Sequence, residues 1–371
     1  MTSFRTMIAA ASLWICGTTQ AATFCVSSAE DLTAALQSAE QNSDASNSIR
    51  IRSGHYTAPA GGWHVDIHLR SVVITGGFED AACEFSSNAE ASATVLDGTN
   101  GARPLTIDTT FAPMQSGGQI LITGLTFENG SGDRAGGLKV SDAGPIYNGA
   151  IRIERNIFRN NVSSLYQQDN SAGALLAATD GSTADGLTYL IVRNNLFVGN
   201  RASDAAAAML FSNNTIAVNN NTFVGNQSTG DALAVRTAVA TFSLFTVQYT
   251  NNIFWDNNPD ALDGTYDLRA DSALGAAFPH ASLFNNDVLV VFSAPLAQSG
   301  NVAVDPAFVD AASGDFHLRS TSPLVDAGLD APATGGVGAL DLGGASRLQG
   351  QHLDMGAYET DPEFIFRNSF D

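Results

Sequence analysis

Four aspartates recur at comparable points of a repeated sequence pattern, and their carboxylates could together hold a metal ion. Each follows the phenylalanine of a repeat by 6 to 11 residues and precedes a run of small residues; they are Asp133, Asp169, Asp204 and Asp231. If successive repeats stack about 5 Å apart, these carboxylates form a row whose mutual repulsion requires a cation or hydrogen-bond donors. Calcium suits such a row of oxygen ligands, so we predict a calcium or cationic-ligand edge. The alternative is that each aspartate caps its own turn by accepting hydrogen bonds from backbone N–H groups.

A second group of residues combines acids with the few bases of this chain. Arg134 and Lys139, the only lysine, lie close to Asp133 and Asp142. An arginine or lysine beside acidic ligands is the arrangement that polysaccharide lyases use to abstract a proton, whereas a solvated loop would carry the same residues without any such role. We therefore predict Arg134 and Lys139 as ligand-binding residues together with the four aspartates.

The sequence contains no pattern typical of other catalytic sites. The six histidines are scattered, and His64 and His68 would lie on one strand face about 13 Å apart, too far for a shared metal ion. There is no Ser-His-Asp context, phosphate-binding loop or zinc-type ligand spacing. The motifs Asn-Thr-Asp, Asp-Asp and Gly-His-Gly of galacturonan hydrolases are also missing. The sequence assigns no catalytic residue and leaves open whether the protein is an enzyme.

The elements that must position these residues belong to a repeat. The pattern Asn-x-Phe-x-x-Asn recurs, with Phe127 opening the series and Phe284 closing it, and the intervals between the phenylalanines are 31, 39, 26, 31 and 30 residues. Such uneven intervals indicate loops of variable length on a constant core. An alternating apolar and polar run precedes each copy, which predicts a strand. A run of small residues follows each copy, as in Ala135–Leu138 and Ala172–Leu175, and we predict a second strand there.

This pattern predicts an all-β fold, a right-handed parallel β-helix in which each repeat forms one coil. Phenylalanines at equivalent positions would stack inside the helix; those expected to be buried are Phe158, Phe197, Phe223 and Phe254. The asparagines would form side-chain amide ladders at the turns, since each amide both donates and accepts hydrogen bonds. Asparagine also tolerates the left-handed backbone of a tight corner.

The first residues after the N-terminus predict a cap for the solenoid. Residues 29–41 carry apolar side chains at helical spacing, namely Leu32, Ala35, Leu36 and Ala39. Ser28 is a candidate N-cap residue. An amphipathic helix here would cover the open first coil, as solenoids require.

Residues 1–21 have the composition of a secretory signal peptide, with Arg5, a short apolar run and small residues at positions 19 and 21. A buried N-terminal helix is the alternative. Removal of this segment leaves Cys25 and Cys83 of the three cysteines. In an oxidising compartment we expect them to form a disulfide rather than remain two buried thiols.

The charge of the chain excludes some partners. Asp and Glu number 37 against 17 Lys and Arg, which gives a formal charge of −20. Such a field repels nucleic acid and anionic lipid. After the signal peptide, no segment is apolar and long enough to span a membrane. We expect a secreted or cell-surface monomer.

Two sets of motifs resemble known bacterial families. Phe-x-x-Asn alternating with small-Gly-small-aliphatic runs resembles the repeats of the polymorphic outer membrane proteins, a secreted β-helix group. Residues 301–359 resemble the choice-of-anchor Q domain of surface β-helix proteins, and the resemblance implies an exported β-helix protein without a defined activity. The matching stretches are Asp305–Phe308, Gly314–Leu318, Ser322–Gly328, Asp341–Arg347 and Asp354–Glu359.

These observations divide the chain into consecutive parts. We predict a signal peptide at 1–21, an N-terminal cap with the first coils at 22–100, the repeat region at 101–300, a C-terminal capping segment at 301–360 and a tail at 361–371. For function we expect a non-catalytic scaffold that binds extracellular glycans or surface partners. The alternatives are a polysaccharide lyase or glycoside hydrolase of pectate-lyase-like fold, and a purely structural spacer.

Overall fold

The computed structural model confirms a parallel β-helix. Three long parallel sheets and one short one run side by side along the solenoid, and consecutive coils contribute neighbouring strands to each sheet. The structure describes residues 21–68, 70–85, 91–109, 118–140, 150–163, 171–179, 188–212, 215–229, 232–239, 247–257, 266–272, 281–289, 291–292 and 295–361.

Sheet I has ten strands, and it extends over the whole solenoid. Its strands are Ala21–Val26, Ser46–Arg52, Ser71–Phe78, Gln119–Thr123, Ala150–Glu154, Thr188–Arg193, Thr215–Asn219, Val247–Thr250, Ala281–Phe284 and Ala297–Ser299. Sheet II has seven strands and carries the stacked phenylalanines. They are Gly54–Thr57, Thr94–Asp97, Thr126–Glu128, Ile157–Arg159, Leu196–Val198, Thr222–Val224 and Ile253–Trp255.

Sheet III has eight strands and closes each coil. They are Trp63–Asp66, Leu105–Asp108, Leu138–Val140, Leu175–Thr179, Ala208–Ser212, Ala232–Val239, Tyr266–Ser272 and Val291–Phe292. Sheet IV is a short ladder between sheets II and III, made of Ser131–Gly132, Val162–Ser163, Arg201–Ala202 and Gln227–Ser228. The remaining elements are an antiparallel pair, Phe308–Asp310 and Asp315–Leu318, and two short 3₁₀ helices, Ala91–Ala93 and Ala311–Ser313.

The predicted N-terminal helix is present at Ala29–Gln41. Its N-cap is Ser28, whose hydroxyl accepts a hydrogen bond from the backbone N–H of Asp31 at 3.1 Å. The four apolar residues at helical spacing are all buried. The indole of Trp63 in the first sheet III strand donates to the hydroxyl of Thr33 at 3.1 Å. The helix therefore covers the open end of the first coil.

Phenylalanines form a continuous stack inside the solenoid. The rings of neighbouring coils lie nearly parallel, with centroids 4.7 to 5.1 Å apart, and the stack contains Phe127, Phe158, Phe197, Phe223 and Phe254. All five side chains are buried, because they point inward from the middle of each sheet II strand. The prediction that Phe158, Phe197, Phe223 and Phe254 are buried and stacked is confirmed.

Phe284 does not belong to this stack, so its sequence assignment was wrong. It ends a sheet I strand and pairs in register with Thr250. Asn286 is the ladder asparagine of that coil and lies in line with Asn252. Phe254 comes two residues after Asn252, so the stacked position of the next coil falls on Val288, two residues after Asn286. Phe284 stands before its asparagines and not between them, which places it one sheet earlier.

Asparagine ladders hold the coils in register. In the ladder between sheets I and II, each Oδ1 accepts hydrogen bonds from the backbone N–H and the Nδ2 of the asparagine one coil earlier, at 2.9 to 3.2 Å; its members are Asn156, Asn195, Asn221, Asn252, Asn286 and Asn301. A second ladder after sheet II has the same geometry and contains Asn161, Asn200, Asn226 and Asn257. The predicted ladders are confirmed.

The left-handed backbone falls on the residue before each ladder asparagine. Asn194, Asn220 and Asn251 precede the first ladder with φ of 54°, 52° and 57°, and Asn160 precedes the second with φ of 56°. Asparagine or glycine at this point costs little, because few other residues adopt the left-handed region readily. A repeat therefore needs two adjacent special residues at each corner, one for the turn and one for the ladder.

The small-residue runs begin as turns and become strands only at their ends. The sheet III strands start at Leu138 and Leu175, after the predicted runs have begun. A Cβ atom on Gly173 would lie 2.0 Å from the carbonyl oxygen of Ala206. Small residues are thus required where the backbones of adjacent coils approach each other before sheet III.

The stack of phenylalanines gives a stability prediction. Replacing Phe197 by Ala removes a fully buried ring between two neighbours and should lower the free energy of unfolding by about 3–5 kcal/mol. Phe85, which is 73% exposed, is the matched control and should cost less than about 0.5 kcal/mol. Urea unfolding of the two variants measures both values, and equal costs would contradict the assignment of the stack.

Cys25 and Cys83 form the predicted disulfide, with Cα atoms 5.6 Å apart. Cys25 lies in the first strand of sheet I, and Cys83 follows the third strand of that sheet. The bond therefore ties the edge of the solenoid beside the helical cap to the coil behind it.

Loss of this disulfide should loosen the N-terminal end first. Its loop of 58 residues corresponds to about 4 kcal/mol on the chain-entropy treatment, and stability in a solenoid is largely local. In the double variant Cys25→Ser/Cys83→Ser, amide hydrogen exchange should accelerate in Ala29–Gln41 before it does in the phenylalanine coils. Reductant should reproduce the effect in the natural protein and have none on the variant. Uniform acceleration along the chain would contradict local stabilisation.

The C-terminal segment turns back after the last coil and covers one flank of the solenoid. Side-chain amides of the corner asparagines bind its backbone: Asn285 donates to the carbonyl oxygen of Ala327 at 2.9 Å, and Asn194 donates to that of Val337 at 2.7 Å. The segment thus runs back along the coils. Its apolar residues, including Leu324, Leu342 and Met355, pack on the outer face of sheet II.

A buried charged network holds this segment together. Arg347 forms an ion pair with Glu359 at 2.9 Å and donates to the carbonyl oxygens of Asp354, Gly356 and Ala357. The carboxylate of Asp354 accepts from the backbone N–H groups of Asp326 and Thr360. These acids and the arginine thus associate on the flank of the solenoid.

Burial changes the ionisation of this region. It raises the pKa of Glu359 to about 8, while Arg347 opposes the shift. In the last coil, burial raises the pKa of Asp287 to about 7, and its Oδ2 atom lacks a hydrogen-bond partner. The Asp287 carboxyl group therefore holds a proton in the folded state over a range of pH in which the unfolded chain has lost it.

Stability should consequently fall as the pH rises from about 5.5 to 8.5. For an acid whose pKa is raised on folding, stability is full below the unfolded pKa and is lost up to the folded pKa. Asp287 should contribute a loss on the order of 2 kcal/mol. Urea unfolding at both pH values measures it, and Asp287→Asn should remove part of the dependence. A free energy of unfolding that rises over this interval would contradict the prediction.

Candidate functional site

Two clusters of polar side chains lie on the outer faces of the first coils, one on sheet III and one on sheet II. The sheet III polar patch comprises His64, Arg103, Thr106, Asp108, Asp133 and Lys139. Register places the middle of the patch on three consecutive strands, since His64 pairs with Thr106 and Thr106 pairs with Lys139. The patch therefore extends along the solenoid axis with a step of about 5 Å.

Charges within the sheet III polar patch pair across coils. The Oδ2 atom of Asp108 lies 2.9 Å from Nε2 of His64, and its Oδ1 atom lies 3.9 Å from Nζ of Lys139. Asp108 thus connects a coil on each side of its own. Half of the His64 side chain is exposed, while that of Lys139 is mostly covered. The face presents donors and acceptors side by side.

Arg103 anchors the end of the patch at Asp133. Its guanidinium lies 2.6 Å from the Oδ1 atom of Asp133 and donates to the hydroxyl of Thr106 at 3.0 Å. The hydrogen bond from Arg103 lowers the pKa of Asp133, and Lys139 contributes to the same shift. Two residues that the sequence singled out, Asp133 and Lys139, are therefore brought together with an arginine that it did not.

Of the four predicted calcium ligands the structure describes Asp133 and Asp204, and these two do not occupy equivalent positions of their coils. Parallel bridges join Ala135 to Ala172 and Ala172 to Ala205. Ala205 is therefore equivalent to Ala135, two coils earlier, and the residue before it, Asp204, is equivalent to Arg134. Asp133 lies one residue before that position. The carboxylate of Asp204 pairs with Arg236. Ala135 and Ala205 each follow the phenylalanine of their coil by 8 residues, so the offsets of 6 for Asp133 and 7 for Asp204 place the two aspartates one position apart.

The other predicted site residues have different outcomes. Arg134 adopts a left-handed conformation with φ of 57°, and its carbonyl oxygen accepts a hydrogen bond from Ala172 at 2.6 Å. It therefore serves the turn before sheet III. Asp169 and Asp231 lie outside the described residues, so their part in a calcium edge stays a prediction.

The second cluster lies on the outer face of sheet II and comprises His55, Asp97, Glu128 and Arg159. The Nε2 atom of His55 is 3.3 Å from Oδ2 of Asp97 and 3.4 Å from Oε1 of Glu128. These three ligand atoms all lie within 4.8 Å of one another. Arg159 pairs with the other oxygen of Glu128. Three different coils therefore contribute one convergent group of nitrogen and oxygen atoms.

Sheet II register explains how these residues meet. Asp97 pairs with Glu128, and Glu128 pairs with Arg159, so the three stand in one column. His55 pairs with Val95, two residues before Asp97, and its imidazole reaches the column diagonally, as long side chains do on a sheet face. Further along the solenoid the same face is apolar, with Ile157 and Leu196, and the C-terminal segment covers it.

Sequence reasoning missed this cluster because the first coils lack the phenylalanine repeat. The signal available was the inward series Tyr56, Leu96 and Phe127, since the residue after Leu96 and the residue after Phe127 are both acidic. Aligning that series would have placed Asp97 beside Glu128. His55 precedes the inward residue of its strand, whereas the two acids follow theirs, so this alignment would not have predicted that His55 contacts them.

Comparisons with other proteins add no family. No protein-family model matches the chain, and a search of curated proteins found no match. The resemblance to the choice-of-anchor Q domain therefore stays a prediction. In the part of the chain that the structure describes, no helix is long and apolar enough to cross a membrane.

Proposed function

We propose that the chain is an exported, non-catalytic scaffold that binds an extracellular glycan on the sheet III polar patch. The observation that carries this proposal is the row formed by His64, Thr106 and Lys139 on three adjacent strands, flanked by Asp108 and the Arg103–Asp133 pair. Sugar hydroxyl groups both donate and accept hydrogen bonds, and the patch offers both functions, since Lys139 donates while Asp108 and Asp133 accept.

The geometry of a solenoid supports a linear ligand. Coils repeat at about 5 Å along the axis, so an extended chain lying along sheet III meets one set of polar side chains per coil. Solenoid proteins commonly bind partners on such extended faces. The contacts of the C-terminal segment described above lie on the flank of sheets I and II, away from this patch.

Charge favours a neutral glycan over a polyuronate. The formal charge of −20 repels a polyanion unless a cation bridges the two. Extracellular partners follow from the proposal that residues 1–21 are a signal peptide. The Cys25–Cys83 disulfide supports export, since such bonds persist in oxidising compartments. The resemblance of residues 301–359 to the choice-of-anchor Q domain supports a cell-surface location.

A lyase of acidic polysaccharide is the second candidate. Lys139 lies on the same face as Arg103 and Asp133 and contributes to the lowered pKa of Asp133. In that reaction an amine would remove the C5 proton of the uronate, and the glycosidic C4–O bond would break so that its oxygen leaves with the other part of the chain and takes up a proton. A guanidinium and a bound cation would offset the charge of the uronate. This candidate requires a divalent cation and a product with a new carbon–carbon double bond.

A glycan-binding assay with matched variants tests the proposal. Lys139→Ala and His64→Ala should each weaken binding of the preferred neutral glycan by roughly 5- to 20-fold, because each removes one or two hydrogen bonds. His352→Ala is the control, since His352 also pairs with an aspartate at 2.9 Å but lies in the C-terminal segment. Calorimetry over a glycan panel measures the affinities.

Product analysis on the same panel separates the two candidates. If unsaturated or reducing-end products appear with the natural chain and disappear in Lys139→Ala, the protein is an enzyme and not a non-catalytic scaffold. If Lys139→Ala and His64→Ala bind the glycan as tightly as His352→Ala does, the sheet III polar patch is not the binding surface.

A further inference from the structure

We infer that His55, Asp97 and Glu128 form a binding site for a divalent transition-metal ion such as zinc. The site is on sheet II and is independent of glycan binding on sheet III. Its ligand atoms would be Nε2 of His55, Oδ2 of Asp97 and Oε1 of Glu128. These are the nitrogen and carboxylate ligands that zinc uses in proteins.

The two imidazole–carboxylate distances match the separation of neighbouring ligand atoms around a metal ion. An N–H···O hydrogen bond in proteins measures about 2.7–3.2 Å, and Nε2 of His55 is 3.3 and 3.4 Å from the two carboxylate oxygens. Ligand atoms at about 2.0–2.2 Å from a tetrahedral zinc ion are roughly 3.3–3.5 Å from one another. Both imidazole–carboxylate separations equal an edge of that tetrahedron.

Each carboxylate is already held by its other oxygen. Oδ1 of Asp97 accepts hydrogen bonds from the backbone N–H of Thr99 at 2.8 Å and from Nδ2 of Asn129 at 3.2 Å. Arg159 pairs with Oε2 of Glu128. Outer-shell donors of this kind orient the ligands of protein metal sites and stay in place when the ion binds. One oxygen of each acid is thereby aimed at His55.

The exposure of the three side chains indicates where the fourth coordination position of the ion would lie. The side chains of Asp97 and Glu128 are 13% and 10% exposed, and that of His55 is 53% exposed. The two acids form the floor and the imidazole stands at the rim, so an ion between them would keep one position toward solvent. Two carboxylates neutralise the charge of a divalent ion, and Arg159 moderates the repulsion between them when no ion is bound.

The ligand set selects the class of ion. Calcium and magnesium prefer six or more oxygen ligands or a shell of water. A site with three protein ligands, one of them an imidazole, suits zinc and similar transition metals. The calcium edge predicted from the sequence for Asp133, Asp169, Asp204 and Asp231 would have a different ligand set, made of oxygen atoms alone.

Zinc titration of the full chain tests the inference. Tag-free protein, freed of metal with a chelator, should bind one equivalent of zinc chloride in calorimetry and show a higher midpoint of thermal unfolding with zinc present. His55→Ala and Glu128→Gln should each weaken this binding at least 10-fold. His352→Ala, which removes an equally exposed histidine beside a single aspartate, should bind like the natural protein. An excess of calcium chloride should not displace zinc from this site.

Cobalt gives a readout that reports the ligands directly. A tetrahedral site should show the visible absorption of four-coordinate cobalt(II), and that absorption should disappear in His55→Ala. Thermal unfolding of both variants without metal establishes that they are folded. The inference is overturned if the natural chain binds no stoichiometric zinc, or if His55→Ala and Glu128→Gln both bind it unchanged.

Discussion

Register between coils is the constraint on which the rest of this structure depends. A parallel β-helix stacks equivalent residues, so any slip by one position would expose every inward side chain. The two asparagine ladders prevent such a slip, because each Oδ1 accepts two hydrogen bonds from one particular residue of the preceding coil. With the ladders fixed, the phenylalanines fall above one another and the outer faces become ordered columns.

The same columns determine where chemistry can occur. A residue on the outer face of a strand meets its equivalent one coil away, so Asp97, Glu128 and Arg159 become neighbours although about 30 residues separate each from the next. Where the column turns apolar, the C-terminal segment covers it and binds the corner asparagines. One flank is therefore divided between a covered apolar part and an open polar part.

Sequence reasoning predicted the fold from this regularity and failed where the regularity ends. Phe197 stands between two ladder asparagines, so both its strand and its inward direction could be predicted. Phe284 imitated the pattern because two asparagines follow it, yet no asparagine precedes it at the right distance. Asp133 and Asp204 follow their phenylalanines by 6 and 7 residues, and with turns of equal length this difference of one residue moves Asp204 to the position of Arg134. The cluster at His55 depends on the register of irregular first coils, which no repeat in the sequence marks.

The ladders also bear on how such a chain can change length in evolution. Each asparagine of a ladder donates toward the C-terminal coil and accepts from the N-terminal one, so every coil presents the same pair of surfaces to its neighbours. Duplication or deletion of a whole coil would join matching surfaces, whereas a partial one would leave a buried amide without its partner. The intervals of 26 to 39 residues between stacked phenylalanines show that loops tolerate insertions freely. Gene rearrangements in this chain should therefore preserve complete coils while they vary the loops.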